Sequence, residues 1–154
     1  MTPLWQFLAL LAVHWIADFV LQTHWQAQNK SKRLDALAQH VAVYTSALLF
    51  AVPFIAPQAG YRMWLAFILV NGAMHFVTDY FTSRWSSKHF GPAIRDTHRV
   101  MTYTDSHGVA PDAANMRLMA ANPGHHYHNF FVVIGFDQLI HQATLAATMA
   151  WLFY

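Results

Sequence analysis

The sequence predicts an all-α integral membrane protein with four transmembrane helices in a compact bundle. Hydrophobic residues occupy 56% of the 154 positions and charged residues 10%, against about 25% charged residues in a typical soluble domain. So few charges cannot cover the surface of a soluble domain of this size. Four apolar runs are each long enough to cross a bilayer, which takes about 20 helical residues. These observations argue against a soluble domain, a disordered chain and a coiled coil.

Each apolar run is interpreted as one membrane span of a single membrane domain. The first is interpreted as a permanent helix and not as a signal peptide, because no basic region precedes it and it contains His14 and Asp18. A tight turn at residues 57–60 predicts that spans two and three are antiparallel neighbours, and Pro53 is expected to kink or end span two. The predicted spans are residues 4–22, 36–56, 61–82 and 130–153.

The distribution of Lys and Arg predicts the orientation of the bundle. Three of the nine basic residues lie between spans one and two and five lie between spans three and four, whereas Arg62 alone lies on the opposite side. Both termini are therefore expected to be extracytoplasmic and residues 83–129 cytoplasmic. This long segment has too much apolar surface for simple disorder, so we expect an ordered cap beneath the bundle, with a short helix between Pro111 and Asn122.

Ionisable residues recur within the spans in a regular pattern. Spans one, three and four each carry a His and an Asp four residues apart, which places both side chains on one helix face, and span two carries a single His. Counted from the cytoplasmic end of each span, all of these residues lie roughly 5–16 Å deep. The seven candidate metal ligands are His14, Asp18, His40, His75, Asp79, Asp137 and His141.

This common depth favours a metal site over scattered core histidines. Four His and three Asp offer nitrogen and oxygen ligands that suit zinc first, with iron or manganese as alternatives, and one or two divalent ions. No Lys or Arg of the spans lies in this layer to balance the three carboxylates, and a metal would neutralise them. A single His–Asp pair is more often an ordinary hydrogen-bonded pair, so a purely structural polar network remains the alternative.

Several stretches also resemble a known family. Residues 14–22 read HWIADFVLQ and residues 28–32 read QNKSK, while residues 75–80 read HFVTDY and residues 134–141 read IGFDQLIH. In this order, with His40 between them, these stretches resemble the bacterial and phage membrane family catalogued as domain of unknown function 3307. The resemblance implies the membrane fold, the bacterial inner membrane and the polar cluster, but it supplies no reaction. The cytoplasmic segment is longer and richer in His than the family's usual connection.

The first functional hypothesis is a membrane-embedded metal-dependent hydrolase that acts on a lipid-linked or interfacial substrate. A bound ion would activate water, and the candidate general base is one of Asp18, Asp79 and Asp137. With no Glu in the chain, an HExxH metalloprotease is excluded. Three alternatives stay open: a metal or proton transporter with an HxxxD zinc site, a di-iron membrane oxidoreductase, and a structural protein stapled by metal.

The remaining predictions concern partners and the other histidines. Membrane lipids are the expected partners and nucleic acid is not, because the few basic residues are not clustered with stacking aromatics. A transporter built from four helices would need a homo-oligomer. The absence of Cys excludes disulfides, thiolate ligands and a Cys nucleophile. The cap is expected to bring at least one further His near the site, from the set His98, His107, His125, His126 and His128.

Overall fold

The computed structural model describes the backbone of residues 3–107 and 123–153, and the side chains of residues 4–90 and 128–151. Within these ranges the chain is all-helical and forms no strands. Two short segments, a π-helical turn at Ile16–Val20 and a 3₁₀ turn at Pro57–Ala59, join or extend the main helices. The helices are α1 Pro3–Trp15, α2 His24–Asn29, α3 Leu34–Ile55, α4 Tyr61–His107 and α5 Pro123–Phe153.

The first span ends in a widened helical turn instead of a regular one. The Leu21 amide donates to the Ile16 carbonyl at 2.9 Å, an i to i−5 hydrogen bond. Single π turns inside helices are frequent at functional sites, because the extra residue changes the direction of the side chains that follow. Asp18 is the central residue of this turn and is buried.

A short helix that the sequence interpretation did not include follows this turn. Helix α2 begins with a capping box, in which the Thr23 hydroxyl accepts from the Gln26 amide and the Gln26 side chain accepts from the Thr23 amide. Turn hydrogen bonds then close the chain around Lys30 and Lys32 before α3 begins. This compact connection packs against α3 and brings Lys30 beneath the bundle.

Helices α3 and α4 are joined by a tight connection. Gly60 has a φ of 76°, a left-handed conformation that glycine adopts without steric cost. The indole nitrogen of Trp64 donates to the Ala56 carbonyl at 2.8 Å and so ties the start of α4 to the end of α3. Pro53 lies inside α3, which continues to Ile55. Helices α3 and α4, which contain the predicted spans two and three, are therefore adjacent and antiparallel, as predicted.

Helices α4 and α5 extend well beyond the predicted spans. At 1.5 Å per residue, the 47 residues of α4 reach roughly 70 Å, more than twice the about 30 Å of a hydrocarbon core. Helix α5 begins at Pro123 and not near residue 130, and Phe90 of α4 meets Phe130 of α5 edge-on at 6.5 Å. Residues 83–107 thus continue a helix instead of forming a separate cap, and the short helix expected between Pro111 and Asn122 falls outside the described residues.

The four long helices enclose an apolar layer at the end of the bundle near the α3–α4 turn. The helices pack pairwise, α4 against both α3 and α5, and α1 against α3. The Gln6 amide in α1 donates to the Ile55 carbonyl at 2.9 Å, and the Asn71 amide donates to the Thr148 hydroxyl at 2.9 Å. This apolar layer contains Leu10, Leu48, Val52, Phe67, Ile68, Leu145 and Met149.

The outward face of the bundle is strongly apolar. Phe50 is 74% exposed, Phe54 78% and Trp151 76%. Among the described residues, two helical stretches are long and apolar enough to cross a membrane, Leu34–Ile55 and His128–Trp151, while Leu4–Val20 is a shorter apolar helix. In α4 the polar residues Asn71, His75 and Asp79 interrupt the apolar run. The structure thus supports an all-helical fold with two candidate spans.

Candidate metal centre

All four long helical segments contribute to one buried polar layer. The π turn supplies Asp18, α3 supplies His40, and α4 and α5 each supply the His–Asp pair noted in the sequence. Five of the six side chains are at most 4% exposed and Asp137 is 13% exposed. The structure therefore brings together six of the seven predicted ligands, which form the polar layer: Asp18, His40, His75, Asp79, Asp137 and His141.

A first group of four residues could hold a metal ion: Asp18, His40, His75 and Asp79. The Nε2 atom of His40 lies 2.9 Å from Asp18 Oδ1 and 3.2 Å from Asp79 Oδ2. The Nε2 atom of His75 lies 3.4 Å from the same Asp18 oxygen and 3.1 Å from His40 Nε2. Two imidazole nitrogens and two carboxylate oxygens thus point at a common centre.

A second group contains Asp79, Asp137 and His141. The Nε2 atom of His141 lies 3.3 Å from Asp79 Oδ1 and 3.5 Å from Asp137 Oδ2. The Thr82 hydroxyl donates to the other Asp137 oxygen, Oδ1, at 2.5 Å. The second group therefore offers one nitrogen and two oxygens, and it has one protein ligand fewer than the first.

The Asp79 carboxylate belongs to both groups and presents a different oxygen to each. Its Oδ2 atom faces His40, while its Oδ1 atom faces His141. A carboxylate whose two oxygens face two ligand groups has the geometry of a bridge between two ions. Two-metal sites in proteins place their ions about 3.5–4 Å apart, a separation that a bridging carboxylate can span.

His14, the seventh predicted ligand, lies outside both groups. Its Nε2 atom is 2.9 Å from the Gln138 side-chain oxygen and 4.0 Å from Asp18 Oδ2. The Gln138 amide in turn donates to Asp18 Oδ2 at 2.6 Å. His14 therefore holds Gln138, and Gln138 orients the Asp18 carboxylate, so the Asp18 oxygen left for the first group is Oδ1.

Neighbouring groups also fix the histidine rings. The Gln22 amide contacts Nδ1 of His40 at 3.2 Å. The His75 ring stacks between Tyr44, at a centroid distance of 4.0 Å, and His141, at 4.1 Å. Partners of this kind orient metal-binding imidazoles and select which nitrogen is free to bind.

Lys30 corrects one premise of the sequence interpretation. No Lys or Arg within the predicted spans lies at the depth of this layer, yet Lys30 enters from the connection after α2 and its Nζ lies 2.9 Å from Asp79 Oδ2. Burial tends to lower the pKa of this ammonium, but the carboxylates of Asp79 and Asp18 raise it, and the net shift of the Lys30 pKa is upward. The site is therefore partly balanced: one ammonium faces three carboxylates, and two negative charges remain.

A cavity of about 680 Å³ opens beside the polar layer. All three site carboxylates line it, Asp18, Asp79 and Asp137, together with the connection after α2 and the inner parts of α4 and α5. The opposite side of the polar layer is closed by Tyr44, which is 1% exposed, and by the apolar layer. The described residues therefore give the site access from one side.

Comparison with known proteins then identifies the family. A family model described as Protein of unknown function (DUF3307) matches residues 6–154. The chain belongs to the DUF3307 family. No curated protein and no solved structure matches it. The match confirms the resemblance read from the sequence, and because the family's description states no activity, the function of this DUF3307 chain has to be argued from the site.

The donor atoms in the polar layer of this DUF3307 chain are chemically suited to bind a metal ion. Asp18 Oδ1 is buried and makes no hydrogen bond of good geometry to any described residue, although two imidazole nitrogens lie within 3.4 Å of it. Buried carboxylate oxygens normally have a partner. Imidazole and carboxylate together suit zinc, iron and manganese, so an ion at this point would satisfy the oxygen and both nitrogens.

The other predicted histidines are placed only in part. The imidazoles of His24 and His89 are exposed and hydrogen bond within their own helices, to Gln28 and to the Trp85 carbonyl, and His128 is exposed. The side chains of His98, His107, His125 and His126 lie outside the described residues. No described His from the long segment therefore joins the site.

Sequence reasoning missed four residues that contact the site. Lys30 carried no signal, because it lies in a connection and at no helical spacing from a predicted ligand, whereas Tyr44 lies four residues after His40 and therefore on the same face of α3. Gln138 was visible as the neighbour of Asp137, and Thr82 lies three residues after Asp79. The Thr23-x-x-Gln26 capping pattern could have predicted α2, and with it the compact connection that brings Lys30 to the site.

Proposed function

We propose that this DUF3307 protein is an integral membrane metalloprotein that binds two divalent transition-metal ions and hydrolyses a lipid-linked or interfacial substrate. The observation that carries the proposal is the Asp79 carboxylate, whose two oxygens face two separate ligand groups in one buried layer. Three carboxylates against one ammonium leave a charge that two divalent ions would more than balance. Zinc is the first candidate, with iron and manganese as alternatives.

The two groups would have different roles. The first offers four protein ligands, which suffice for a closed tetrahedral site. The second offers three, which leaves a position for water, and its Asp137 lines the cavity. A metal in such an open position lowers the pKa of bound water to near 7 and so supplies a nucleophile at neutral pH.

The chain itself would supply the proton acceptor. Of the three candidate bases, Asp137 is the most exposed, at 13%, and it lines the cavity on the α5 side. Thr82 holds its Oδ1 atom, which leaves Oδ2 facing His141 and the second group. Asp137 is therefore the preferred base in addition to being a ligand of the second group, while Asp18 and Asp79 are ligands only.

The membrane setting supports a lipid-facing substrate. Two helices are long and apolar enough to span, and large hydrophobic side chains cover the outside of the bundle. We further propose four spans, with α1 and the outer half of α4 as the other two, and extracytoplasmic termini in the bacterial inner membrane. In this arrangement the cavity opens on the cytoplasmic side, near the head groups.

The one-sided cavity favours an enzyme over a transporter, which needs access from both faces. A structural staple remains the second candidate, because the first group is buried and has four ligands. Relaxation of water protons by protein loaded with Mn²⁺ separates these two functions. An open coordination position that exchanges water should raise the relaxivity well above that of a Mn²⁺-loaded Asp137→Asn variant, whereas two closed sites would give equal values.

Elemental analysis of gently purified protein tests the metal centre directly. The expected result is two transition-metal ions per chain, with one retained in Asp137→Asn and both retained in the control Asp35→Asn, whose carboxylate pairs with Arg33 at the surface. Absence of stoichiometric metal in the unaltered protein would contradict the proposal.

Cysteine labelling tests the orientation. Gln58 lies in the exposed α3–α4 turn and Lys88 is exposed on the inner part of α4. Gln58→Cys should react with an impermeant maleimide added outside intact cells, and Lys88→Cys should react only after the membrane is opened. The reverse pattern would invert the proposed topology.

A further inference from the structure

The cavity beside the metal centre has one polar wall. Lys30, Ser31 and Lys32 contribute from the connection after α2, and Ser83, Ser86 and Ser87 contribute from α4. Lys32 is exposed and forms no ion pair with any residue in the described part of the chain. The Ser83 hydroxyl likewise has no hydrogen-bond partner among those residues. This wall therefore offers ammonium and hydroxyl donors that the protein itself leaves largely unused.

Another part of the cavity lining is apolar. It consists of Phe130, Val133 and Ile134 of α5 and of Phe19 in the π turn, a side chain that is 46% exposed. The volume of about 680 Å³ is within the about 300–1,000 Å³ typical of ligand sites. A ligand that filled the cavity would need an anionic, hydrogen-bond-accepting end and an apolar end.

The net charge around the cavity indicates which anionic group the ligand would carry. The carboxylates of Asp18, Asp79 and Asp137 outnumber the two lysines by one negative charge, which by itself repels an anion. Two divalent ions would turn this deficit into three positive charges around the floor of the cavity. Phosphate oxygens are suited to such a place, because they bind lysine, hydroxyl donors and metal ions together.

We propose that the substrate is a phosphate ester of a lipid, with its phosphate at the metal centre and against Lys32, and its chain along Phe130, Val133 and Ile134. This inference rests on the proposed function, since the phosphate needs the metal ions. Water adds to phosphorus and loses a proton to Asp137, and the bond from phosphorus to the ester oxygen breaks. That oxygen takes up the proton from Asp137, which restores the carboxylate, so that inorganic phosphate and a lipid alcohol leave without any further reactant.

Binding measurements on the full chain in micelles test this assignment. Metal content is measured first, and metal-loaded protein is then titrated with dioctanoyl phosphatidate, dioctanoylglycerol and inorganic phosphate. Phosphatidate should bind at least about tenfold more tightly than either of the others, and it should release phosphate. Equal binding of dioctanoylglycerol would overturn recognition of the phosphate, and equal binding of inorganic phosphate would overturn recognition of the lipid chain.

Two variants and a matched control locate the site. Lys32→Gln should weaken phosphatidate binding about tenfold with metal content unchanged, while Lys88→Gln, an exposed lysine outside the cavity, should change neither. Ile134→Trp should weaken phosphatidate but not inorganic phosphate. If Lys32→Gln behaves like Lys88→Gln, the cavity does not bind the phosphate. Metal-loaded protein that fails every phosphate arm overturns this inference alone, whereas protein without metal overturns the proposed function.

Discussion

The apolar layer and the polar layer, which are formed by the same helices, differ in how their buried polar groups are paired. In the apolar layer, the few polar groups are uncharged, as in the pairing of Asn71 with Thr148 and of Gln6 with the Ile55 carbonyl. In the polar layer, by contrast, one charged group has several charged or ionisable partners: the single carboxylate of Asp79 contacts Lys30, His40 and His141. Among the described residues, each layer leaves one buried side-chain oxygen without a good hydrogen bond, the uncharged Gln6 Oε1 in the apolar layer and the carboxylate oxygen Asp18 Oδ1 in the polar layer.

The difference indicates what each layer is for. Buried charges cost several kcal/mol each unless they are well paired, and apolar packing of similar volume would hold four helices together without them. A layer needed only for stability would therefore resemble the apolar layer. The polar layer is better explained by a bound ligand, and the predictions below test whether the two layers separate into one that stabilises and one that binds.

The largest effect is expected from Asp79→Asn. This change removes the charge that both ligand groups share and leaves the Lys30 ammonium without its closest carboxylate. We expect metal content to fall from two ions per chain to about none, because both groups lose the same charged ligand at once and metal binding depends on deprotonated ligands. Elemental analysis after gel filtration measures it.

The matched control is Asp35→Asn, which changes the same functional group at the surface, where the carboxylate pairs with Arg33 and accepts from the Ala36 amide. It should keep both ions. Retention of two ions by Asp79→Asn would show that Asp79 is no bridge, and the distinction between the layers would then lose its main support.

The second prediction concerns the apolar layer. Leu48 is fully buried among the packed side chains of this layer. Leu48→Ala should lower the free energy of unfolding by about 2–5 kcal/mol through the lost contacts and the cavity left behind, with metal content unchanged. Unfolding in mixed micelles, followed by circular dichroism, measures the first quantity. If Leu48→Ala loses metal under conditions in which it is as fully folded as the unaltered protein, the two layers are coupled.

The all-helical class and the shared helix face of the polar pairs could be predicted from the sequence, because both depend on local features. Two residues four apart on a helix share a face whatever surrounds them, so the placement of His75 with Asp79 on one face of α4 could be inferred directly. The end of α4 could not, because its apolar run stops near residue 82 while the helix continues to His107. A helix can continue through a change from apolar to polar composition, so the end of an apolar run does not mark the end of the helix.

The candidate site was predicted less completely, for reasons of three-dimensional packing. His14 and Asp18 were expected to act as an equivalent pair, but the π turn at Ile16–Val20 directs Asp18 into the centre while His14 contacts Gln138. Lys30 lies in a connection, and only the folding of α2 against α3 brings it to Asp79. Periodicity carries no information about such contacts.

The third prediction tests which residues at the edge of the polar layer bind metal and which only position the ligands. Gln138→Leu removes the amide that positions Asp18, and such outer partners of ligands change metal affinity by about 10–100-fold. His14→Leu should have a similar but no larger effect, because His14 acts through Gln138. Chelator competition measures both affinities, and the double variant should be no worse than Gln138→Leu. A loss of a whole ion in His14→Leu would instead make His14 a ligand, as the sequence pattern suggested.

The smallest effect is expected at Gly72, where the two layers meet one turn from His75. A Cβ atom placed on Gly72 would lie 2.7 Å from the Thr45 hydroxyl oxygen of α3. Overpacking typically costs about 1–3 kcal/mol, and we expect Gly72→Ala to lie near 1 kcal/mol, because the clashing atom is the end of a small side chain. The Thr45 hydroxyl donates only to the Val41 carbonyl of its own helix, so Thr45→Ala removes the obstacle and the double variant should recover the stability of the unaltered protein.

The metal affinity of Gly72→Ala tests whether the polar layer depends on the same close contact between α3 and α4. If the site tolerates the wider spacing of α3 and α4, affinity stays constant while stability falls; a parallel drop in both would show that His40 and His75 are held together by the same close helix contact.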